Sequence, residues 1–231
     1  MIILFGLAGS GKGTQGKALS EIFGWRWLSA GQLIRNSGKY NEIIDKGEMI
    51  PDADIIKMFE RELKTTDEEG YDVILDGFPR NAAQTEWLLA QKNHPVDGAI
   101  ILDVPESELL NRLYMRAGLD GRVDDQEKST IKRRFEVFEQ NIYSILPLLE
   151  AKNVPVVHAD GVGDPGEVTD RLVEIVKQLN PSATEQTTTL TAKKSKQVTA
   201  NKRREMNKNV EHRKHYTRKT PRKNYRHARR R

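Results

Sequence analysis

Short apolar runs alternate with longer amphipathic stretches over the first 180 residues of the chain. Several of the runs are apolar without alternation, which is typical of parallel strands covered on both faces. We interpret five runs as strands and the stretches between them as helices. The predicted strands lie at residues 1–5, 25–29, 72–76, 98–104 and 154–159, and the predicted helices at 12–23, 30–36, 52–64, 81–92, 105–116, 125–150 and 165–179.

This alternation predicts a doubly wound α/β fold, in which a five-stranded parallel sheet carries helices on both faces and the crossover connections are right-handed. In such folds, ligands bind beyond the carboxyl ends of the strands. The segments that directly follow the strands are therefore the candidates for the functional site.

The net charge of +5 averages two unlike parts of the 231-residue chain. Residues 1–180 carry 21 basic and 30 acidic side chains, whereas residues 181–231 carry 17 basic and 3 acidic ones, a net charge of +14. The second part has no Phe or Trp and almost no aliphatic periodicity. We therefore expect one domain at 1–180 and a disordered basic tail at 181–231.

The chain has no cysteine, which excludes disulfides and thiolate metal sites. The apolar run that follows Met1 is too short for a signal peptide and has no basic region before it. No segment approaches the roughly 18 apolar residues of a membrane span. We expect a cytoplasmic protein that does not bind membranes.

The glycine-rich loop "GLAGSGKGTQ" follows the first predicted strand and opens the first helix. Its spacing, Gly6-x4-Gly11-Lys12, is the phosphate-loop pattern in the context that the pattern requires. Glycines let backbone N–H groups approach phosphate oxygens, and the helix N-terminus adds its dipole. Lys12 places a cation at the terminal phosphates, and Gly13 stands where phosphate loops usually have Ser or Thr.

The segment "ILDGFPRNAAQ" (74–84) places Asp76 at the end of a buried strand. A carboxylate at the carboxyl edge of the sheet can orient water on a phosphate-bound Mg²⁺, because this ion retains its water readily.

Further along the chain, Arg112 and Arg116 are four residues apart and therefore share one helix face.

The glycine-rich loop resembles that of nucleoside monophosphate kinases, and of adenylate kinases above all, which carry G-x-P-G-x-G-K-G-T-Q. Ala8 stands in place of the family's proline. The resemblance covers about residues 1–180 and implies a P-loop fold with an acceptor-binding flap at about 29–51 and a short lid at about 116–123. It also implies a monomer that transfers a phosphoryl group from ATP to AMP with Mg²⁺ and yields two ADP. The other matching segments are "LSAGQLIR" (28–35), "GEMIPD" (47–52), "ILDGFPRNAAQ" (74–84), "LLNRLYMRAGLDGRVDD" (109–125) and "DGVGDPGEV" (160–168).

The resemblance also assigns roles to individual residues. Asp76 would reach Mg²⁺ through water, with no direct protein ligand, and the last phosphate arginine is Arg134 or, in a second register, Arg133. We prefer Arg134. The expected ATP-binding residues are Gly9, Ser10, Gly11, Lys12, Gly13, Thr14, Arg112, Arg116 and Gly163. The expected AMP-binding residues are Ala30, Gly31, Arg35, Glu48, Met49, Ile50, Gly77, Phe78, Arg80, Gln84, Arg122 and Arg134. Besides Asp76, the expected catalytic residues are Lys12, Arg80, Arg116, Arg122 and Arg134.

Two alternative functions remain open at this point. Ala30, the sequence "FPRN" and the short lid favour a UMP/CMP kinase, whereas Gln84 favours AMP as the acceptor. The other alternative is a P-loop nucleotide-binding protein that acts on RNA through the basic tail. Because the tail combines a charge of +14 with Tyr216 and Tyr225, it suits a nucleic acid or another polyanion. A solubilising extension explains the tail equally well.

Overall fold

The structure, a computed structural model, describes residues 1–183, apart from the side chain of Asp120. The predicted basic tail lies outside the described residues from position 184 onward. None of the helices within residues 1–183 combines the length and the apolar composition needed to cross a membrane. The strands are β1 (Ile2–Phe5), β2 (Arg26–Ser29), β3 (Val73–Asp76), β4 (Gly98–Asp103) and β5 (Val156–Asp160). The helices are α1 (Lys12–Phe23), α2 (Ala30–Ser37), α3 (Asn41–Asp45), α4 (Asp52–Glu69), α5 (Ala82–Leu89), α6 (Glu106–Asp120), α7 (Lys128–Ala151) and α8 (Pro165–Leu179).

The five strands form one parallel sheet in the order β2-β3-β1-β4-β5. The predicted α/β fold is therefore confirmed. β1 lies in the middle of the sheet, and its Leu4 is level with Asp76 of β3 and Ile100 of β4. After β1 the chain crosses to β2 on one side of β1, and after β3 it crosses to β4 on the other side. A crevice therefore opens between these two crossovers, at the carboxyl end of the central strands.

Helices cover both faces of the sheet, which explains why the strands are apolar without alternation. Ile3 and Phe5 of β1 pack into a cluster with buried residues of α4 and α7, among them Phe59 and Leu149. Ile2 and Leu4 point to the other face, where the buried residues of α1 and α8 include Leu19, Phe23, Leu172 and Val176. The sheet edge that carries the crevice is thus fixed between two packed layers.

The predicted element bounds differ from the structure mainly at helix ends. Helix α4 extends beyond position 64 to Glu69, where Gly70 ends it in the left-handed conformation and donates its N–H to Thr66 O and Asp67 O. Such a glycine is a common helix terminator. Helix α6 continues to Asp120, so much of the segment interpreted as the lid is helical. The five-residue helix α3 was not predicted.

Candidate active site

A cleft with a volume of about 1390 Å³ opens at the carboxyl edge of the sheet. The glycine-rich loop, the loop after β3 and the loop after β5 form its floor, while α2, α6 and α7 supply its walls. The lining is strongly cationic. Its basic side chains include Lys12, Arg35, Arg80, Arg112, Arg116, Arg122 and Arg134.

The glycine-rich loop joins β1 to α1 and holds the Lys12 ammonium group on its inner side. Gly11, the residue before the helix, has a φ of 95°, which an L side chain rarely adopts. Lys12 Nζ donates to Gly6 O at 2.7 Å, to Leu7 O at 2.8 Å and to Ser10 Oγ at 3.3 Å. The loop therefore forms a concave cradle with a cation at its edge, which is the geometry of a phosphate site.

The surroundings of Lys12 disfavour its charged form. The pKa of Lys12 is lowered to about 8, chiefly by burial; the nearby carboxylate of Asp76 opposes this shift, and the positive charges of Arg134, Arg80 and Arg116 contribute to it. Because a bound phosphate would supply the missing negative charge, ligand binding should restore the charged form.

Two adjacent carboxylates hold the arginines on the lid side of the cleft. Arg116 donates from Nε and Nη2 to Asp125 at 2.5 and 2.8 Å, and Arg134 Nη1 reaches Asp125 Oδ1 at 2.7 Å and Asp124 Oδ2 at 2.9 Å. The Asp125 side chain is 0% exposed. Burial raises the pKa of Asp125, but its hydrogen bonds and ion pairs with the two arginines outweigh burial and hold the pKa below its usual value. Asp125 is therefore an ionised anchor.

The structure separates the two candidate registers of the last phosphate arginine. Arg134 faces the cleft and is 22% exposed. Arg133 is not among the cleft-lining residues, its side chain is 54% exposed, and it pairs with Glu48 of the flap at 3.2 Å. Arg134, the register preferred from the sequence, thus lines the cleft, whereas its contact with a phosphate stays a prediction.

Arg35 and Arg80 form another part of the cationic lining, the part expected from the sequence to bind the acceptor. Arg80 Nε donates to Gly77 O at 2.8 Å. Burial lowers the pKa of both guanidinium groups, and neighbouring arginines lower it further. Within residues 1–183, neither has a carboxylate at ion-pair distance, so both can receive an anion from solution.

Asp76 ends β3 at the floor of the cleft, beside the start of α1. Its side chain is nearly buried, with the residue 7% exposed. A Cβ added at Gly13 would lie 3.5 Å from Asp76 Oδ2, so the carboxylate lies beside the glycine-rich loop. No hydrogen bond to this carboxylate forms within the described part of the chain, and the same part contains no cluster of three or more acidic or histidine side chains suited to a metal. Asp76 can thus accept hydrogen bonds from the water shell of a phosphate-bound cation.

Most of the predicted site residues line this cleft, and four do not. Ala30, Ile50, Phe78 and Gln84 are buried in the domain, with exposures of 1%, 5%, 0% and 1%. Phe78 stacks on Phe59 with ring centroids 4.1 Å apart. Every other predicted residue lies in the cleft lining.

Gln84 is held inside the fold at both ends of its amide. Its Oε1 accepts from the backbone N–H of Arg80 at 2.7 Å, and its Nε2 donates to Asp52 at 2.6 Å. Asp52 also accepts from Asn81 Nδ2 at 2.9 Å. This network was not predicted from the sequence, because its members come from α4, from the loop before α5 and from α5 itself.

Trp27 is a further lining residue that the sequence did not reveal, since a tryptophan in a strand is usually a packing residue. A Cβ at Gly16 would lie 2.6 Å from its Nε1, and one at Gly13 would lie 3.6 Å from its Cζ2. The indole N–H is buried without a hydrogen-bond partner among the described residues. A glycine inside α1 was the available signal, because such a residue often marks a close approach.

The comparisons with known proteins agree on one family. A family model described as adenylate kinase matches residues 4–154. An adenylate kinase of Thermus thermophilus is 35% identical over 182 residues, which covers 74% of this chain and 94% of that protein. An adenylate kinase of Flavobacterium psychrophilum is 36% identical over 191 residues, with 77% and 98% covered, and one of Porphyromonas gingivalis is 35% identical over 187 residues, with 76% and 94% covered.

The depressed pKa of Lys12 predicts proton uptake on phosphate binding. At pH 9, a group with a pKa of about 8 is mostly neutral, and bound phosphates should return it to the charged form. Binding of a nucleoside triphosphate at pH 9 should then take up about 0.9 proton, and at pH 6.5 Lys12 should contribute none. Calorimetry in buffers of different ionisation enthalpy measures this number. Equal uptake by the unsubstituted protein and Lys12→Met would contradict the assignment.

Asp125 should stabilise the fold at neutral pH through its two arginines. We expect Asp125→Asn to lower the free energy of unfolding by about 3 kcal/mol at pH 7, because two partly buried guanidinium groups lose their shared anion. Since the folded-state pKa lies below the unfolded value, this stabilisation exists above the unfolded pKa and should disappear as pH falls through the folded one. Urea unfolding across pH measures it. Glu174→Gln, which removes an exposed ion pair, is the control and should cost less than about 1 kcal/mol.

Proposed function

The chain belongs to the adenylate kinase family, and we propose that the residues of its cationic cleft carry out the family's reaction in the roles given below. In this reaction, the terminal phosphoryl group of ATP passes to AMP and two molecules of ADP result. The protein is a nucleoside monophosphate kinase.

The observation that carries the proposed roles is the concentration of positive charge in one cleft. Burial lowers the pKa of Lys12, Arg35 and Arg80, and the positive charges of neighbouring arginines lower it further, so these charges repel one another in the cleft. A ligand with several negative charges offsets this repulsion, and two nucleotides brought together supply such charges. Because the transferred phosphoryl group spreads charge over its oxygens, the same cations stabilise the transition state.

The two halves of the cleft suit the two nucleotides. On the donor side, the glycine-rich loop, Lys12 and Arg116 hold the phosphates of ATP, and Arg112 and Gly163 lie near its base. On the acceptor side, Arg35 and Arg80 hold the phosphate of AMP, with Arg122 and Arg134 between the two. The flap residues Gly31, Glu48 and Met49 lie beside the acceptor nucleoside. Ala30, Ile50, Phe78 and Gln84 support that site from behind, because they are buried.

Mg²⁺ fits the donor side through Asp76. The carboxylate has no hydrogen-bond donor within the described residues and lies beside the loop that holds the phosphates. When bound, the ion neutralises charge on the ATP phosphates and fixes their orientation. Asp76 would hold the ion by accepting hydrogen bonds from its water molecules, and its negative charge also opposes the loss of the Lys12 proton.

The chain's own contribution to the reaction is positioning and charge stabilisation. Arg116 and Arg134 are pre-set by Asp125, so they need little reorganisation when charge develops on the phosphoryl group. Lys12 donates to Gly6 O and Leu7 O in this structure, and it would exchange these hydrogen bonds for ones to the transferred phosphoryl group. No protein nucleophile is required, because the acceptor phosphate attacks directly in line. Closure of the lid segment at 116–123 would exclude water.

An acceptor comparison tests the function. We expect AMP to exceed UMP, CMP and dGMP in kcat/KM by at least about tenfold with ATP and Mg²⁺. A UMP preference of the same size would identify a UMP/CMP kinase instead. Equal, very slow hydrolysis of ATP with and without monophosphate would remove the kinase function itself.

Two neighbouring arginines offer a matched test of the catalytic roles. Arg134→Ala should lower kcat by about 10²- to 10³-fold, because it removes a fixed cation from the phosphoryl path. Arg133→Ala, which removes an equal charge together with the solvent-exposed ion pair to Glu48, should keep kcat within about threefold of the unsubstituted protein, and any effect through Glu48 should appear in the KM for AMP. Steady-state assays of the full chain measure both. The reverse pattern would transfer the role to Arg133.

We also propose that the protein is a cytoplasmic monomer. The absence of cysteine is compatible with a reducing compartment, and a single chain supplies all the cations assigned to the two nucleotides. Light scattering of the purified chain reports the mass directly, and a dimer mass would contradict this proposal.

The basic segment 181–231 supports a further proposed partner, a nucleic acid or another polyanion. Residues 181–231 carry a net charge of +14, and a segment of this charge gains affinity for polyanions by releasing counterions. Because every residue assigned to the kinase reaction precedes position 181, this binding is separate from catalysis.

A truncation tests the tail. RNA binding by the full chain should weaken steeply between about 50 and 200 mM salt, and a 1–183 truncation should bind RNA at least about tenfold more weakly at the lower salt while it keeps its kinase activity. Equal RNA binding by the two proteins would remove the proposed role of the tail.

A further inference from the structure

The segment 160–164, which comprises the last residue of β5 and the loop after it, is held by hydrogen bonds to nearly all of its backbone groups. Gly161 N–H donates to Asp103 O, Val162 N–H donates to Asp160 Oδ1, and Asp164 N–H donates to Glu167 Oε2. Such a loop has little freedom to adjust to a ligand, so the groups that hold it also decide what it presents to the cleft.

Arg171 of α8 makes the largest set of these contacts. Its Nη1 donates to Asp160 O at 2.6 Å, its Nη2 donates to Val162 O, and its Nε donates to Glu167 O at 3.3 Å. Nη1 also pairs with the Asp160 carboxylate at 3.1 Å. Because the guanidinium group is planar, these three nitrogens fix the relative positions of the two loop carbonyls.

Arg112 completes the arrangement from the cleft side, where its Nη1 donates to Gly161 O at 3.1 Å. Gly163 is then the loop residue whose own N–H and C=O both lack hydrogen bonds within the described part of the chain. It lines the cleft with a φ of 118°, and a Cβ at this position would lie 2.6 Å from Glu167 Oε2. An unpaired donor and acceptor are thus held at a fixed place in the lining.

We propose that Arg171 is a positioning residue for the donor base: by holding the carbonyls on both sides of Gly161, it presents the backbone of Gly163 to the edge of the base. An adenine edge offers an acceptor nitrogen beside an amino donor, which complements one N–H and one C=O. Arg171 does not touch the phosphates in this role. The proposal deepens the proposed function, on which the identity of the donor rests.

We expect the Arg171→Ala substitution to weaken only the part of ligand affinity that depends on the base. In Arg171→Ala, the loop keeps its contacts with Arg112 and Asp103 but loses the guanidinium that fixes Asp160 and Val162. Affinity for ATP should fall about tenfold, whereas affinity for inorganic tripolyphosphate, which has no base, should stay within about twofold. Arg171→Lys should recover part of the loss, because one ammonium group cannot hold both carbonyls.

Calorimetric titration of the full chain with ATP and with tripolyphosphate, without a monophosphate, measures this ratio. Lys177→Ala, which removes an exposed cation from the same helix, is the control and should behave like the unsubstituted protein. Unchanged ATP affinity in Arg171→Ala, or an equal loss for ATP and tripolyphosphate, overturns the proposal. Because binding is measured without turnover, a failure of kinase activity in the unsubstituted chain is recognised separately and leaves this readout valid.

Discussion

Repulsion between cationic side chains is the constraint that organises the cleft. Four of the lining arginines show two ways in which this repulsion is met. Arg116 and Arg134 share the buried carboxylate of Asp125, whereas Arg35 and Arg80 have no ion pair within residues 1–183. The first kind contributes fixed geometry and the second contributes net charge. A cleft that must grip two polyanions and also align them needs both kinds.

The parallel sheet brings this charge together. Leu4 of the central strand β1 is level with Asp76, the last residue of the neighbouring strand β3. The glycine-rich loop that follows β1 and the carboxylate of Asp76 therefore lie side by side. The packed layers on both faces hold these ends in place, because each face of β1 is buried by helices. The floor of the cleft is therefore rigid, while its walls come from helices near the lid and the flap.

The parts of the site that could be predicted from the sequence are those whose position follows from one strand end or one loop. Lys12 and Asp76 are of this kind, since any parallel α/β sheet places them at the same edge. The sequence left two registers open with a preference for Arg134, because spacing alone does not show that Arg134 of α7 lines the cleft and that Arg133 does not. The hydrogen bonds of Gln84 with Asp52, and those of Arg171 with the loop after β5, depend on how separate elements dock. Periodicity and spacing carry no information about that docking.

The contact between Gly16 and Trp27 restricts the order in which this protein can change over evolutionary time. A side chain at position 16 would start inside the space of the indole ring. A larger residue at 16 can therefore be accepted only after Trp27 has been replaced by a smaller one, and the reverse order passes through an overpacked intermediate. Since the same indole also lies beside Gly13, the two positions connect the packing behind α1 to the floor of the nucleotide site. Substitutions at position 16 or 27 in the packing behind α1 would thus also change the shape of the glycine-rich loop's phosphate cradle.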